Sequence, residues 1–341
     1  MKEFGSDFHY VAITNSHGKA IGDYFSDAVY YADGRQTLID LYQKQGWKSL
    51  WVPDYFCYEV LAYLERGGIT LKYYPDYPLA DEKEVLPSLP YEEGDALLRM
   101  NYFGLRAYRS TVSIPVPVVE DHTHDLIGDW AVRSDADWCI ASLRKTLPIA
   151  EGGMLWSPRG LTLPPECELT DENKFLASRR WGAMKKKSLY LENIFDDKSE
   201  FRNDMILTEE MFDGMGFSAI DDETREYLSR FDIVQWYRQR KTNWSSLVDA
   251  HSDVMTVLEP ESRDCNPFSW TILFEEESER NDFRSYLIDR SIYPAILWNV
   301  PETKNSEAVS FSKRMLSLHC DGRYNEESMA QLSEIIAAYW S

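Results

Sequence analysis

Short apolar runs alternate with amphipathic stretches along the first half of the chain. Ser49 to Pro53, Ile69 to Tyr74, Ala96 to Tyr102, Pro115 to Val119, Trp138 to Leu143 and Met154 to Trp156 are each bounded by glycine, proline or charge. Runs of this kind read as buried strands. Between them, Leu38, Leu41 and Tyr42 fall at helical spacing after Asp33-Gly34, and Val60, Leu61 and Leu64 form a helical face that stops at Arg66-Gly-Gly68. Strand alternating with helix predicts an α/β fold with a mostly parallel central sheet covered by helices. From Leu161 to about Asp222 the pattern weakens: Lys185-Lys-Lys187 reads as a solvated turn and Asp196 to Asp204 as a loop. Thr224 to about Val248 reads as one long helix linking two domains. Beyond it come a strand at Phe268 to Phe274, a helix at Glu277 to Arg290, and an extended piece at Tyr293 to Trp298. Another strand at Met315 to Cys320 and an amphipathic helix at Asn325 to Tyr339 complete a smaller α+β domain. The expected division is an N-terminal arm over 1–33, a large α/β domain over 34–240 and a small α+β domain over 241–341.

The chemistry sits where the apolar runs stop. Pro115 to Val119 ends in Glu120-Asp-His-Thr-His-Asp125, Trp138 to Leu143 ends in Arg144-Lys145, and Glu151-Gly-Gly153 leads into the next run. In an open α/β sheet, functional groups gather at the carboxyl ends of strands, so Asp121 and Lys145 are expected in one crevice. A carboxylate and an amine delivered that way are the minimum equipment for pyridoxal phosphate. Asp121 would pair with the pyridinium nitrogen, and Lys145 would be the amine nucleophile. Each residue alone has a plainer explanation. Most lysines are solvated charges, a strand-end acid often caps the next helix, and Asp33-Gly34 fits a simple helix cap as well as a phosphate-binding helix start. His122 and His124 also fit a metal-ligand pair of the kind found in barrel hydrolases. Of the other histidines, His9, His17, His251 and His319, only His319 lies near a strand end. No GxGxxG, Walker A or GxSxG pattern occurs.

Taken in order, these segments resemble the DegT/DnrJ/StrS sugar aminotransferases, a group of fold-type-I pyridoxal phosphate enzymes. That family carries E-D-x-x-(Q or H), a strand ending in S-F, and a lysine followed by G-E-G-G. Here they are matched by Glu120-Asp-His-Thr-His124, Ser142-Leu143, Lys145 and Ala150-Glu-Gly-Gly153. Gly34-Arg-Gln-Thr-Leu38, Pro53-Asp-Tyr-Phe-Cys57 and Leu316-Ser-Leu-His-Cys-Asp-Gly-Arg-Tyr324 are similar to three further family segments. The resemblance implies a pyridoxal phosphate transferase fold of type I. It implies transfer of an amino group from an amino acid such as glutamate to a keto acceptor of the keto-sugar or nucleotide-sugar class. Lys145 would carry the cofactor and move the proton, Asp121 would hold the ring nitrogen, and His124 would lie near the phenolic oxygen. Gly34, Arg35, Gln36 and Ser142 would bind the phosphate. The residue stacked on the ring would come from Tyr55 to Tyr58, with Cys57 at the aligned position. A homodimer with its site near the interface is also implied. Two departures stand out. Ser142 and Lys145 are two residues closer than in the family, and its G-Y-N-x-R segment is reduced to Gly216-Phe-Ser218. A metal-dependent hydrolase using His122 and His124, and a catalytically silent protein of the same fold, are the alternatives.

Composition narrows the partners. A length of 341 residues suffices for two domains sharing a site. The formal net charge of −21 disfavours nucleic acid and anionic membranes. The five cysteines are widely spaced with no CxxC, which points to reduced thiols in the cytoplasm and against a structural metal. The N-terminus lacks an apolar signal core, and no apolar run is long enough to span a bilayer. The expected partners are therefore a small-molecule amino donor and a keto acceptor. Arg323 reads as half of a structural salt bridge.

Overall fold

The computed structural model describes residues 2–13, 18–194, 196–251, 253 and 255–340. Its large sheet consists of β1 (Val29–Tyr31), β2 (Ser49–Pro53), β3 (Leu71–Tyr74), β4 (Asp95–Met100), β5 (Val118–Asp121), β6 (Trp138–Ser142) and β7 (Gly153–Trp156). The spatial order is β1-β7-β6-β5-β4-β2-β3. Strands β3, β2, β4, β5 and β6 are parallel, and β7 runs antiparallel to both β6 and β1. Every residue of β2, β4, β5, β6 and β7 is buried, because helices cover both faces. Adjacent apolar residues therefore serve opposite cores. Leu97, Val118, Cys139 and Met154 face one, while Leu98, Val119, Ile140 and Leu155 face the other.

Helix α1 (Gly34–Gln45) is capped by the Asp33 carboxylate, which accepts from Arg35 N, and ends at Gly46 with φ of 65°. It buries Leu38, Ile39, Leu41 and Tyr42, the face the apolar spacing requires. Helices α2 (Tyr58–Arg66) and α3 (Asp129–Arg133) follow within the same layered unit. The N-terminal stretch read as an arm supplies edge strand β1, so only part of it lies outside the sheet.

The weakly patterned middle is helical. α4 (Asp171–Leu191) contains Lys185 to Lys187, and α5 (Lys198–Gly214) begins inside the segment read as a loop. The reason is visible along α4. Asn173, Arg180 and Lys187 recur every seven residues on the inward face and are all buried, so polar residues interrupt the apolar periodicity. Lys187 is no solvated turn residue. Its ammonium pairs with Glu3 at 2.9 Å and donates to Ser6 Oγ and Asp7 O, each at 2.6 Å. The long helix expected over 224–248 is two, α6 (Asp222–Arg230) and α7 (Ile233–His251). Phe231 turns extended, and the Asp232 carboxylate then accepts from Gln235 N to open α7.

The C-terminal part has α8 (Glu277–Ile288), α9 (Ser306–Arg314) and α10 (Glu326–Ala337) around an antiparallel sheet. That sheet has the order β10 (Met315–Leu318), β9 (Trp270–Leu273), β8 (Thr256–Val257). α9 had no counterpart in the sequence reading. The Tyr293 to Trp298 piece makes only a two-residue pairing of Ile292–Tyr293 with Phe4–Gly5 and a bridge at Ala295. Leu247 of α7 packs in the core of this part, beside Trp270, Phe283 and Leu332, and α7 spans the expected boundary at residues 240 and 241. Among the described residues, no helix is long and apolar enough to cross a membrane.

Candidate active site

Strands β5 and β6 end beneath the first turn of α1. The twofold period of β5 puts Asp121 on the face of Val119, where Ile140 and Ser142 of β6 also point, and turns Glu120 to the opposite side. A β-carbon at Gly34 would lie 2.8 Å from Ser142 Cβ and 2.9 Å from its Cα. Only glycine therefore lets the helix close on the strand end. Gly153 is constrained likewise, since a β-carbon there would meet the Asp33 carbonyl at 2.5 Å. The Gly-Gly pair thus brings β7 against the cap of α1.

The result is a cavity of about 250 Å³. Gly34, Arg35, Cys57, Asp121, His124, Ser142 and Lys145 all line it. Gln36 does not. Its amide donates to Gly216 O at 3.0 Å and accepts from Ser218 N at 3.2 Å, which commits it to holding the segment after α5. Of Tyr55 to Tyr58, Phe56 and Cys57 reach the cavity, whereas Tyr55 is buried among Tyr102, Phe103 and Phe311.

Thr123 joins the two strand ends. Its N–H donates to Asp121 Oδ1 at 2.8 Å, its hydroxyl accepts from Ser142 N at 2.9 Å, and its carbonyl accepts from Thr146 Oγ1 at 2.5 Å. Burial raises the Asp121 carboxyl above its usual range, while the Thr123 hydrogen bonds and the Lys145 charge oppose the shift. A buried carboxyl in this state is stabilised by an added cationic hydrogen-bond donor. His124 Nδ1 accepts from Phe103 N at 3.1 Å. Burial, reinforced by the charges of Lys145 and Arg240, pushes the ring down to about 3. The imidazole is therefore neutral at physiological pH with its proton on Nε2, a donor. Trp298 stacks on it at 5.7 Å and 23°, and Phe268 lies at 4.6 Å.

His122 and His124 do not converge. His122 Nε2 meets Glu120 Oε2 at 3.1 Å on the opposite face of the sheet, edge-on to Trp130. Glu120, His122 and Cys139 do bring ligand atoms within 4.8 Å of one another. The Arg99 guanidinium already neutralises Glu120 at 3.1 Å, however, and all three are buried. A hydrolytic metal site built on the two histidines is ruled out by this divergence. His17 lies outside the described residues, and His319, whose ring burial pushes down to about 4, lies 3.7 Å from Asp321. Arg323 forms the expected structural bridge, also to Asp321, at 2.8 Å.

Arginines crowd the open side. Arg35 pairs with Asp33 at 2.6 Å and with Asp213 of α5, while Arg144 grips Glu209 of α5 through two bonds of 2.8 and 2.9 Å. Trp298, Thr123 and Glu209 also line the cavity and were not among the residues expected there. Thr123 lay inside the E-D-H-T-H motif. Trp298 and Glu209 come from segments with no local signal.

The residues fit pyridoxal phosphate. Ser142 Oγ is buried without a hydrogen-bond partner, directly beside the first turn of α1, and a phosphate oxygen would satisfy it. Asp121 offers a buried carboxylate for a protonated ring nitrogen, and His124 a neutral donor. The Lys145 side chain has no hydrogen bond or ion pair among the described residues, although its charge acts on Asp121 and His124.

No family model matches the sequence, and no curated protein sequence does. Solved structures do match in shape. PseC of Helicobacter pylori, an aminotransferase involved in the biosynthesis of pseudoaminic acid, is 13% identical with a TM-score of 0.65, over 99% of this chain and 99% of that one. A DegT DnrJ EryC1 StrS aminotransferase from Brucella abortus is 13% identical with a TM-score of 0.61, over 94% and 88%. NtdA from Bacillus subtilis with bound cofactor PMP is 10% identical with a TM-score of 0.61, over 95% and 78%. The fold is that of these aminotransferases, a mixed α/β architecture with a large, mostly parallel sheet and a smaller C-terminal part.

Proposed function

We propose that the chain is a pyridoxal-phosphate-dependent aminotransferase acting on small molecules. An amino acid would be the donor, and a keto compound of the keto-sugar class the acceptor. The observation that carries this reading is the gathering of Asp121, His124, Ser142 and Lys145 from two neighbouring strand ends in one cavity under the first turn of α1. When bound, pyridoxal phosphate supplies an electron sink for the bonds at the substrate α-carbon. Asp121 would keep the ring nitrogen protonated, and His124 Nε2–H would bond the phenolic oxygen. Ser142 Oγ, the N–H groups at the start of α1 and the Arg35 guanidinium would hold the phosphate. Lys145 Nζ would be the nucleophile that holds the cofactor, and would take up and return a proton at the substrate α-carbon.

The separate core around Trp270, Phe283 and Leu332 favours a second domain beginning within α7. Five free cysteines accord with a cytoplasmic setting. The charge of −21 favours small-molecule partners over nucleic acid or membrane. A homodimer is carried over from the resemblance alone.

The test is spectroscopic. Adding pyridoxal phosphate to the purified protein should produce a visible absorbance band that Lys145→Ala lacks. Asp121→Asn should keep the band and lose amino transfer. A protein that stays colourless with excess cofactor, or a band that survives Lys145→Ala, would refute the assignment.

A further inference from the structure

Beside the cofactor cavity lies a second one of about 410 Å³, and Lys145, His124 and Trp298 are walls of both. The two differ in their arginines. Arg35 lines only the first and Arg180 only the second, while Arg144 borders both. Arg144 and Arg180 both hold the carboxylate of Glu209, while Asp33 lies 3.9 Å from Arg144 and the Asp7 charge acts on Arg180. Arg144 holds Glu209 at 2.8 and 2.9 Å and Arg180 at 3.2 Å.

The two sides of this contact are unequally fixed. The Arg144 and Arg180 side chains are 10% and 9% exposed, and both guanidinium groups lie against the buried Phe212 ring, at 4.6 and 5.7 Å. Arg180 also donates to Thr208 Oγ1 at 3.1 Å. Arg144 Nε is buried with no partner, so the pair has donor capacity left over. Glu209, in contrast, is half exposed, so its side chain has room to turn toward water when another carboxylate takes its place. Burial would raise its carboxyl, yet the two arginines hold it down to about 2. Burial and the neighbouring Arg144 meanwhile destabilise the Arg180 cation. These are the properties of a rigid pair of guanidinium groups built to hold one carboxylate, with a movable one in place.

We propose that Arg144 and Arg180 bind the carboxylate of the amino-acid donor, and of the 2-oxo acid it becomes, and that Glu209 is an internal occupant displaced by it. The inference rests on the aminotransferase reading, because it takes Lys145 as the reacting amine that both cavities share. Substrate is thereby selected for a carboxylate next to the reacting carbon. An empty site keeps its two cations paired rather than buried alone, which would be costly. Arg35, Ser142 and the start of α1 would remain free to hold the cofactor phosphate.

The probe is glutarate, a dicarboxylate with neither an amino nor a keto group, titrated calorimetrically into the protein preincubated with pyridoxal phosphate. Glu209→Gln removes the competitor and should tighten glutarate binding about tenfold. Arg180→Gln should weaken it about tenfold or more, the worth of one charge-assisted hydrogen bond. Both variants should keep the visible cofactor band. Equal glutarate affinity in wild type and Glu209→Gln overturns the proposal, and because residue 209 is half exposed this comparison holds even if Arg180→Gln fails to fold. Loss of the cofactor band in folded Arg180→Gln also overturns it, by assigning the pair to the phosphate. If no band forms in any of the proteins yet glutarate follows the two substitutions, the carboxylate site stands and the aminotransferase reading falls.

Discussion

Glu151, the acid of the Glu-Gly-Gly turn, should make stability fall with rising pH. It is fully buried. One carboxyl oxygen accepts from Asp221 N at 2.5 Å, and the other has no partner. Asn173 lies against it with its own Oδ1 unpartnered. Burial raises the carboxyl from 4.5 to about 8, and the Asp221 N–H and the Asn173 and Thr224 side chains only partly offset that. In the unfolded chain the group loses its proton near 4.5, whereas the folded chain keeps it to about pH 8. Over that interval the folded state binds more protons, so stability declines as pH rises and levels off above about pH 8. At 1.36 kcal/mol per pH unit, the full interval amounts to about 5 kcal/mol. Glu151→Gln keeps the acceptor for Asp221 and does not titrate. Urea unfolding of both proteins, followed by circular dichroism from about pH 5 to about pH 9, should show the variant gaining on wild type up to about pH 8 and then holding its lead. A difference that stays constant across this range would refute the neutral, buried carboxyl.

Two further substitutions probe the frame around the site. Gly34→Ala drives a methyl into the Ser142 backbone and should cost about 1–3 kcal/mol in denaturant unfolding. It should also raise the pyridoxal phosphate concentration needed for the visible band, and unchanged uptake would detach the α1–β6 contact from cofactor binding. Arg99 neutralises Glu82 at 2.5 Å and Glu120 at 3.1 Å, all three buried. Arg99→Met should therefore cost about 3–5 kcal/mol, with part of the loss restored in Arg99→Met/Glu120→Gln. A loss under about 1 kcal/mol would mean the carboxylates are effectively solvated.

Legibility followed the apolar pattern. β2 matches its run to the residue, and β4 to β7 match theirs to within a few residues, because fully buried strands carry uninterrupted apolar runs. The same runs located the site, since polar residues at their ends fall where a parallel sheet exposes them. Asp121 and Lys145 were expected in one crevice from the strand ends and Ser142 from the family resemblance, and all three line the cavity. α4 and α5 were obscured because α4 turns Asn173, Arg180 and Lys187 inward, and no local rule separates a buried, paired lysine from a solvated one. The α6–α7 break was hidden by the apolar residues that continue through Phe231.

By itself, the sequence determined a parallel sheet with a carboxylate and an amine at neighbouring strand ends. Tertiary structure alone decided that His122 faces away from His124 and that Gln36 is occupied elsewhere. It also brought Trp298 and Glu209, from distant segments, to the walls of the cavity. The physical reason is range. Alternation and strand ends are local consequences of backbone geometry, whereas the partner of a buried charge or an aromatic ring is fixed only when separate elements pack.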